Sequence, residues 1–420
     1  MPDSPVPDGG GRFSGLTTRG RCLLAGGIAT AVCAVALDER DLLRVGAFVA
    51  LLPVLALLLA ARTRRTVRVE RELRPPRLPV GSAVSVVLHL QGRRLLGALR
   101  LTDTAPDAAG PHPDAPPRFT VHRLSSRGGA TLTYPLHPVL RGVHRVGPLT
   151  GTMSDPLGLA EFERELAPAG RLVVLPRVVA LRGLPPAIGA GEGTPGAALA
   201  HQGQGASDVL IRPYRVGDEI RRVHWRSTAR YDELMVRLEE RPWRGGITVL
   251  LDRRDAAHRG RGADSSLEFA VTLAASACVH LLARGEPLSL LTEDGVELTA
   301  PGTGGQEPLL DALAALRPSA RTDLAGPELS SGTDVLAILG ALAPGQVEAL
   351  LARRTGGGHA VLLDTSTWDP ARGDSGAAGN AAALRRAGWH VTVATAASTP
   401  ARAWDDLVAG AASGGTRGAP

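Results

Sequence analysis

The 420-residue chain contains no lysine; all 47 of its basic side chains are arginine. With 51 glycines, 32 prolines and abundant alanine, this skew points to GC-rich coding rather than to a chemical demand for guanidinium groups. The net charge of +6 therefore says little about nucleic acid, and 41 acidic residues are interleaved with the arginines. Interleaving suits surface ion pairs rather than a phosphate-binding stripe, so nucleic acid is not an expected partner. Cysteine is scarce: Cys22, Cys33 and Cys278 form no Cys-x-x-Cys or Cys/His pattern, which excludes a spaced zinc site and a disulfide framework. Aromatics are only 3%, so the cores must be built from Leu, Val and Ala.

Long apolar runs are present near the N-terminus. Residues 22–37 and 45–61 carry no charge, and the link between them begins Asp38-Glu39-Arg40-Asp41. Each run lies near the lower limit for crossing hydrocarbon, about 17 residues, and interface residues extend both. So short a link requires an antiparallel transmembrane helical hairpin over 22–61. Both runs are apolar all round, unlike the amphipathic helices of a soluble core. Arg12, Arg19 and Arg21 precede the first run, and Arg62, Arg64, Arg65 and Arg68 follow the second. By the positive-inside rule both ends face the cytoplasm, giving a multi-pass plasma-membrane protein with a cytoplasmic segment 1–21 and cytoplasmic main domains.

From 66 to 180 the apolar pattern changes to period two, as in Val67-Arg68-Val69-Glu70 and Ala83-Val84-Ser85-Val86, with Pro and Gly at short intervals. This predicts a β-sandwich. Arg141-Gly142…Gly147-Pro148 reads as a turn entering a strand, and Asp155-Pro156-Leu157-Gly158-Leu159 as another turn. His112, His122, His137 and His144 lack metal-ligand spacing on any one element. A Gly/Ala/Pro-rich linker, 183–205, follows.

The densest information lies in 206–245. A strand leads into Tyr214, a turn forms at Val216-Gly217, Asp218 caps a helix, and a further strand carries Leu234, Val236 and Leu238 on one side. The order and spacing of Arg212, Tyr214, Gly217, Asp218, Val223, His224, Trp225, Ala229 and Arg230 resemble the signature of the family called domain of unknown function 58. The Arg-Gly-x-x-x-x-Gly-Pro and Asp-Pro-x-Gly-Leu elements resemble it too. The resemblance implies a membrane-tethered protein with a sandwich and a von Willebrand factor A-like domain. It also implies partners, a MoxR-type AAA+ ATPase and a transglutaminase-like membrane protein, and it brings no catalytic activity or cofactor. Read bottom-up, Asp218, His224 and Ser227 form an acid, base and nucleophile on paper, but no oxyanion-building glycine motif accompanies them. An ion-pair network with Trp225 as a packing anchor is the simpler reading.

Residues 246–411 alternate strands and helices, the pattern of an α/β doubly wound domain, before a disordered tail at 412–420. In such sheets ligands bind beyond the carboxyl ends of the strands. A working von Willebrand A metal site carries Asp-x-Ser-x-Ser after its first strand, supplying hard oxygens for magnesium. Here the chain has Asp252-Arg253-Arg254-Asp255-Ala256, so two hydroxyls are lost and a cation gained. Asp252 and Asp364 remain as a degenerate metal candidate. The expected function is a membrane-anchored, non-enzymatic scaffold. The alternatives are a metal-dependent or hydrolytic enzyme using strand-end carboxylates, and an adhesin with its domains outside.

Overall fold

The computed structural model describes residues 15–63, 67–92, 98–105, 117–122, 124, 129–185, 209–213, 228, 230, 235–239, 246–299, 305–324, 326–329, 333–354 and 357–414. The chain divides into two compact units, Met1–Leu175 and Pro176–Pro420.

The first unit opens with a short strand β1 (Gly15–Leu16) and two helices, α1 (Thr18–Ala36) and α2 (Arg40–Thr63). α1 begins ahead of its uncharged stretch, at Thr18, and α2 takes charged residues of the link into its first turn. Thr17 caps α1, its hydroxyl accepting from the Gly20 amide. Both helices are long and apolar enough to cross a membrane. They pack through small residues: a Cβ on Gly27 would stand 2.5 Å from the Ala50 nitrogen, and one on Gly46 2.7 Å from that of Ala31. Small residues four apart on each helix thus let the backbones close together. The outer faces stay bare, with Val32, Val35 and Phe48 more than 60% exposed.

The strands that follow are β2 (Val67–Arg74), β3 (Arg77–Pro79), β4 (Val84–Gly92), β5 (Leu99–Asp103), β6 (Arg118–Val121), β7 (Ala130–Leu136), β8 (Gly142–Val146), β9 (Leu149–Ser154), β10 (Ala160–Ala167) and β11 (Gly170–Leu175). They form three sheets, β1-β10-β9-β5-β6, β2-β4-β7 and β3-β11-β8, where a two-sheet sandwich was expected. One core serves all three, with Leu88, Leu99, Leu149 and Leu172 fully buried within it. The physical reason is a shared polar centre. Arg71 on β2 donates to the Val146 carbonyl on β8 (2.9 Å) and pairs with the Asp103 carboxylate on β5, and the Tyr134 hydroxyl on β7 donates to the same carboxylate (2.6 Å). Gly147, at φ 108°, lies under the Arg71 guanidinium, where a Cβ would collide with it. That is why the Arg-Gly-x-x-x-x-Gly-Pro element needs its second glycine.

The Asp-Pro-x-Gly-Leu element joins this β domain to the helices. The Asp155 carboxylate accepts from the Leu157 and Ala160 amides (2.8 and 2.6 Å), fixing the turn. The Leu159 carbonyl then accepts the Thr17 amide (2.8 Å), and Gly20 lies against it too closely for any side chain. Leu159, Ala160 and Phe162 pack with Ala56 and Ala60 of α2.

In the second unit β12 (Val209–Pro213) and β13 (Met235–Glu239) form an antiparallel ladder. The main sheet contains β14 (Ile247–Leu251), β15 (Leu288–Thr292), β16 (Glu297–Thr299), β17 (Asp334–Leu339), β18 (His359–Leu363) and β19 (His390–Ala394), in the order β16-β15-β14-β17-β18-β19. All neighbours are parallel except β16, an antiparallel edge strand that the sequence pattern does not reveal. The helices are α3 (Ser266–Leu282), α4 (Gln306–Ala315), α5 (Gln346–Ala352), α6 (Ala377–Arg386) and α7 (Pro400–Gly414). Val335, Ala337 and Leu339 of β17 pack with Val347 and Leu350 of α5 and with Ala381 and Leu384 of α6. The intervening Leu336 and Ile338 point to the opposite face, where α3 lies across β14, β15 and β17 and meets α4 and α7. Ala270, Ala274, Ala277 and Cys278 are fully buried in α3, and burial pushes the Cys278 thiol well above its ordinary pKa, so it is an inert packing group.

Two expected boundaries move. Residues 176–180, assigned to the sandwich, belong to the second unit: the Val179 amide donates to Ser276 (2.9 Å), and nearby the Trp404 indole donates to the Arg182 carbonyl (2.9 Å). The last helix runs to Gly414, past the expected end of the domain at 411. The rest of the tail, most of the 183–205 linker and residues 1–14 lie outside the described residues.

Candidate functional site

The order β16-β15-β14-β17-β18-β19 reverses direction between β14 and β17, which is where open α/β sheets receive ligands. Asp252 follows β14 at this point and is fully buried. Its two carboxylate oxygens are taken by the chain itself. Oδ1 accepts Arg254 Nε (2.9 Å) and the Arg254 amide (3.1 Å), while Oδ2 accepts Arg254 Nη2 (2.7 Å) and the Gly340 amide (3.2 Å). Arg254, 2% exposed, spends its other N–H groups on the Thr322 carbonyl (3.1 Å), Gln346 Oε1 (2.8 Å) and the Ala341 carbonyl (3.5 Å). All five donors of the guanidinium fork are thereby directed at oxygens. Gly340 is required because the Ala257 carbonyl sits against its Cα.

His258 lies behind this pair. The Asp252 carbonyl can only accept, so the contact at 2.8 Å fixes the hydrogen on Nε2, and Nδ1 accepts from the Ser266 hydroxyl (3.1 Å). Burial lowers the His258 pKa and outweighs the pull of the Asp252 charge, keeping the ring neutral. This resembles a nucleophile–base pair, but Ser266 is fully buried in the first turn of α3 and also accepts the Arg259 amide (2.9 Å). Its work is to tie the strand end to the helix start.

At the neighbouring strand ends Glu293 and Asp364 are each engaged through one oxygen. After β15, the fully buried Glu293 receives Arg253 at 3.5 Å, and Arg253 Nη2 reaches Asp294 at 3.1 Å. Burial raises the Asp294 pKa, but the bonds from Thr292 and Val296 and the Arg253 charge outweigh it and hold it below the usual range. After β18, Asp364 accepts from the Ser375 hydroxyl (2.7 Å) and from the Ser366 amide and hydroxyl. Its partial burial raises the pKa, but these bonds and the Arg259 charge lower it further. Asp252 and Asp364 flank β17 without converging, and among the described residues no group of three acids, histidines or cysteines is placed to hold a metal.

The signature residues are only partly visible. Arg212 lies on β12, opposite Val236 of β13, and Arg230 is an exposed helical residue. Tyr214, Gly217, Asp218, His224, Trp225, Ser227 and Ala229 lie outside the described residues.

Residues 210–351 match the family model described as "Protein of unknown function DUF58". This stretch is similar to the DUF58 family. A comparison with curated proteins gave no match. The DUF58 stretch runs from β12 into α5, so it takes in the signature and the Asp252–Arg254 pair and excludes Asp364. Sequence reading found Arg254 as a substitution but missed its partners Gln346 and Gly340, which are distant in sequence. Glu293-Asp294, two acids directly after an apolar strand, was a legible signal that went unused.

Proposed function

We propose that this protein is a membrane-anchored, non-enzymatic scaffold whose hairpin spans the plasma membrane and whose cytoplasmic domains dock partner proteins. The observation that carries the reading is the state of the first strand-end carboxylate: both oxygens of Asp252 are filled, by Arg254 and by the Gly340 amide. An acid so engaged is a poor candidate for general acid–base or metal chemistry. The bare apolar flanks of α1 and α2 support the anchor, since exposure on this scale costs a soluble protein dearly. The strand order with one antiparallel edge supports reading the second unit as von Willebrand factor A-like, a binding fold. The partner proposed on family resemblance is a MoxR-type AAA+ ATPase, with a transglutaminase-like membrane protein as a further member of the assembly.

The test is crosslinked co-purification of the full-length protein from its own membranes, followed by mass spectrometry. The expected result is a AAA+ ATPase in the wild-type sample, lost from His224→Ala and Trp225→Ala. A preparation that recovers no partner at any crosslinker length rejects the scaffold reading. Protease treatment of intact cells checks orientation: the main domains should survive until the membrane is opened.

A further inference from the structure

The von Willebrand pattern implies a magnesium ion at the first strand end, and the residues here do not fit one. Arg254 stands where the pattern has its first hydroxyl, and its guanidinium is 2.7 Å from Asp252 Oδ2. We propose that Arg254 is the resident cation of this site, and that the oxygens around it form a latent cation cage.

The argument rests on what surrounds the guanidinium. Asp252 Oδ1 and Oδ2, Gln346 Oε1 and the carbonyl oxygens of Thr322 and Ala341 all point at it. This is an all-oxygen set with one carboxylate, the donor chemistry of hard cations. The set is drawn from four places in the chain: the end of β14, the segment before β17, the loop after β17 and the first residue of α5. A fixed positive charge at its centre holds these loops together without any ion from solution. Asp252 Oδ2 is further held by the Gly340 amide, so the carboxylate would stay in place if the arginine were removed. A planar guanidinium also spaces its acceptors more widely than magnesium tolerates, since magnesium demands near-ideal octahedral bonds of about 2.1 Å. Calcium, with longer bonds of about 2.3–2.6 Å and flexible geometry, is the better match for the vacated cage. The inference is independent of the scaffold reading: it concerns the charge at the site, whatever docks on the protein.

The experiment uses the full-length protein in detergent and follows thermal unfolding by tryptophan fluorescence, to which Trp368, Trp389 and Trp404 report from this unit. The wild-type midpoint is expected to be the same with EDTA, magnesium or calcium. Arg254→Ala is expected to lower it by roughly 10 °C, through an uncompensated buried carboxylate. Millimolar ethylguanidinium or calcium should restore part of that loss, with magnesium weaker. Should the alanine variant fail to fold, Arg254→Lys against Arg254→Met isolates charge at similar length, and the lysine variant should melt higher. A wild-type midpoint raised by calcium overturns the proposal, because metal would then displace the arginine. So does an Arg254→Ala protein that responds to neither cation, or a methionine variant as stable as the lysine one.

Discussion

Both units bury an arginine–aspartate pair, and the two pairs have opposite geometries. In the β domain Arg71 on β2 reaches Asp103 on β5, so the pair crosses between sheets, and Tyr134 completes it from β7. In the α/β unit Arg254 and Asp252 are two residues apart on one strand end, and the contacts radiate outward to distant loops. The first pair joins elements that would otherwise not share a core. The second fills the crevice in which such a sheet would hold a ligand. The same chemistry is therefore a rivet in one place and a plug in the other. Position in the topology decides which.

Four measurements sharpen or break this contrast. The largest effect is expected from Asp252→Ala, which strands a buried guanidinium and should cost about 3–5 kcal/mol, read as a lower midpoint of the α/β unit. If the β domain falls equally, the two pairs are not separate devices. Next is Gly147→Ala, which places a Cβ against Arg71 on backbone at φ 108°; it should destabilise the β domain by about 1–3 kcal/mol. Denaturant melts with Arg71→Met in the background should show the two losses failing to add.

Tyr134→Phe follows, removing a hydroxyl bonded to a buried carboxylate at a cost of about 1.5–3 kcal/mol. Burial first, and then the Asp103 contact, push the Tyr134 pKa above its ordinary value, so the phenolate absorbance that wild type shows beyond Tyr134→Phe should appear only when the β domain unfolds in base. The smallest effect concerns pH. His258 has a lowered folded pKa, so its contribution to stability is intact above the unfolded value of 6.5 and is lost as pH falls below it, where the unfolded chain takes up the proton. The melting midpoint should therefore decline on acidification from pH 7 to 5, and His258→Gln should flatten that slope. Asp364 acts in a separate window: its lowered pKa contributes stability above the unfolded value of 3.8, lost as pH falls further.

The apolar elements were legible because their signal is local. Ile247-Thr248-Val249-Leu250-Leu251 is a buried strand by composition alone, and the long apolar run over 266–282 forms α3. The edge strand β16 was not legible: three residues, Glu297–Thr299, carry no usable periodicity. The three-sheet arrangement was hidden for another reason, because it depends on which strands share Arg71, and period two cannot encode pairing. At the site, the loss of two hydroxyls after Asp252 was visible in the sequence. That the replacing arginine turns back onto the aspartate was not, since an i,i+2 contact at a strand end depends on backbone direction.

The sequence by itself determined the two apolar helices, the alternation of strand and helix after residue 246, the family signature, and the chemical identity of the strand-end residues. These follow from side-chain polarity and spacing along a chain, which a sequence records directly. Only the tertiary structure decided that the α1 and α2 backbones meet at glycines, that three sheets share one arginine, and that Asp252 is already neutralised. Each of these is a contact between residues or elements whose approach is set by packing. Burial then turns proximity into energy, because a charge removed from water must find its partner within the fold.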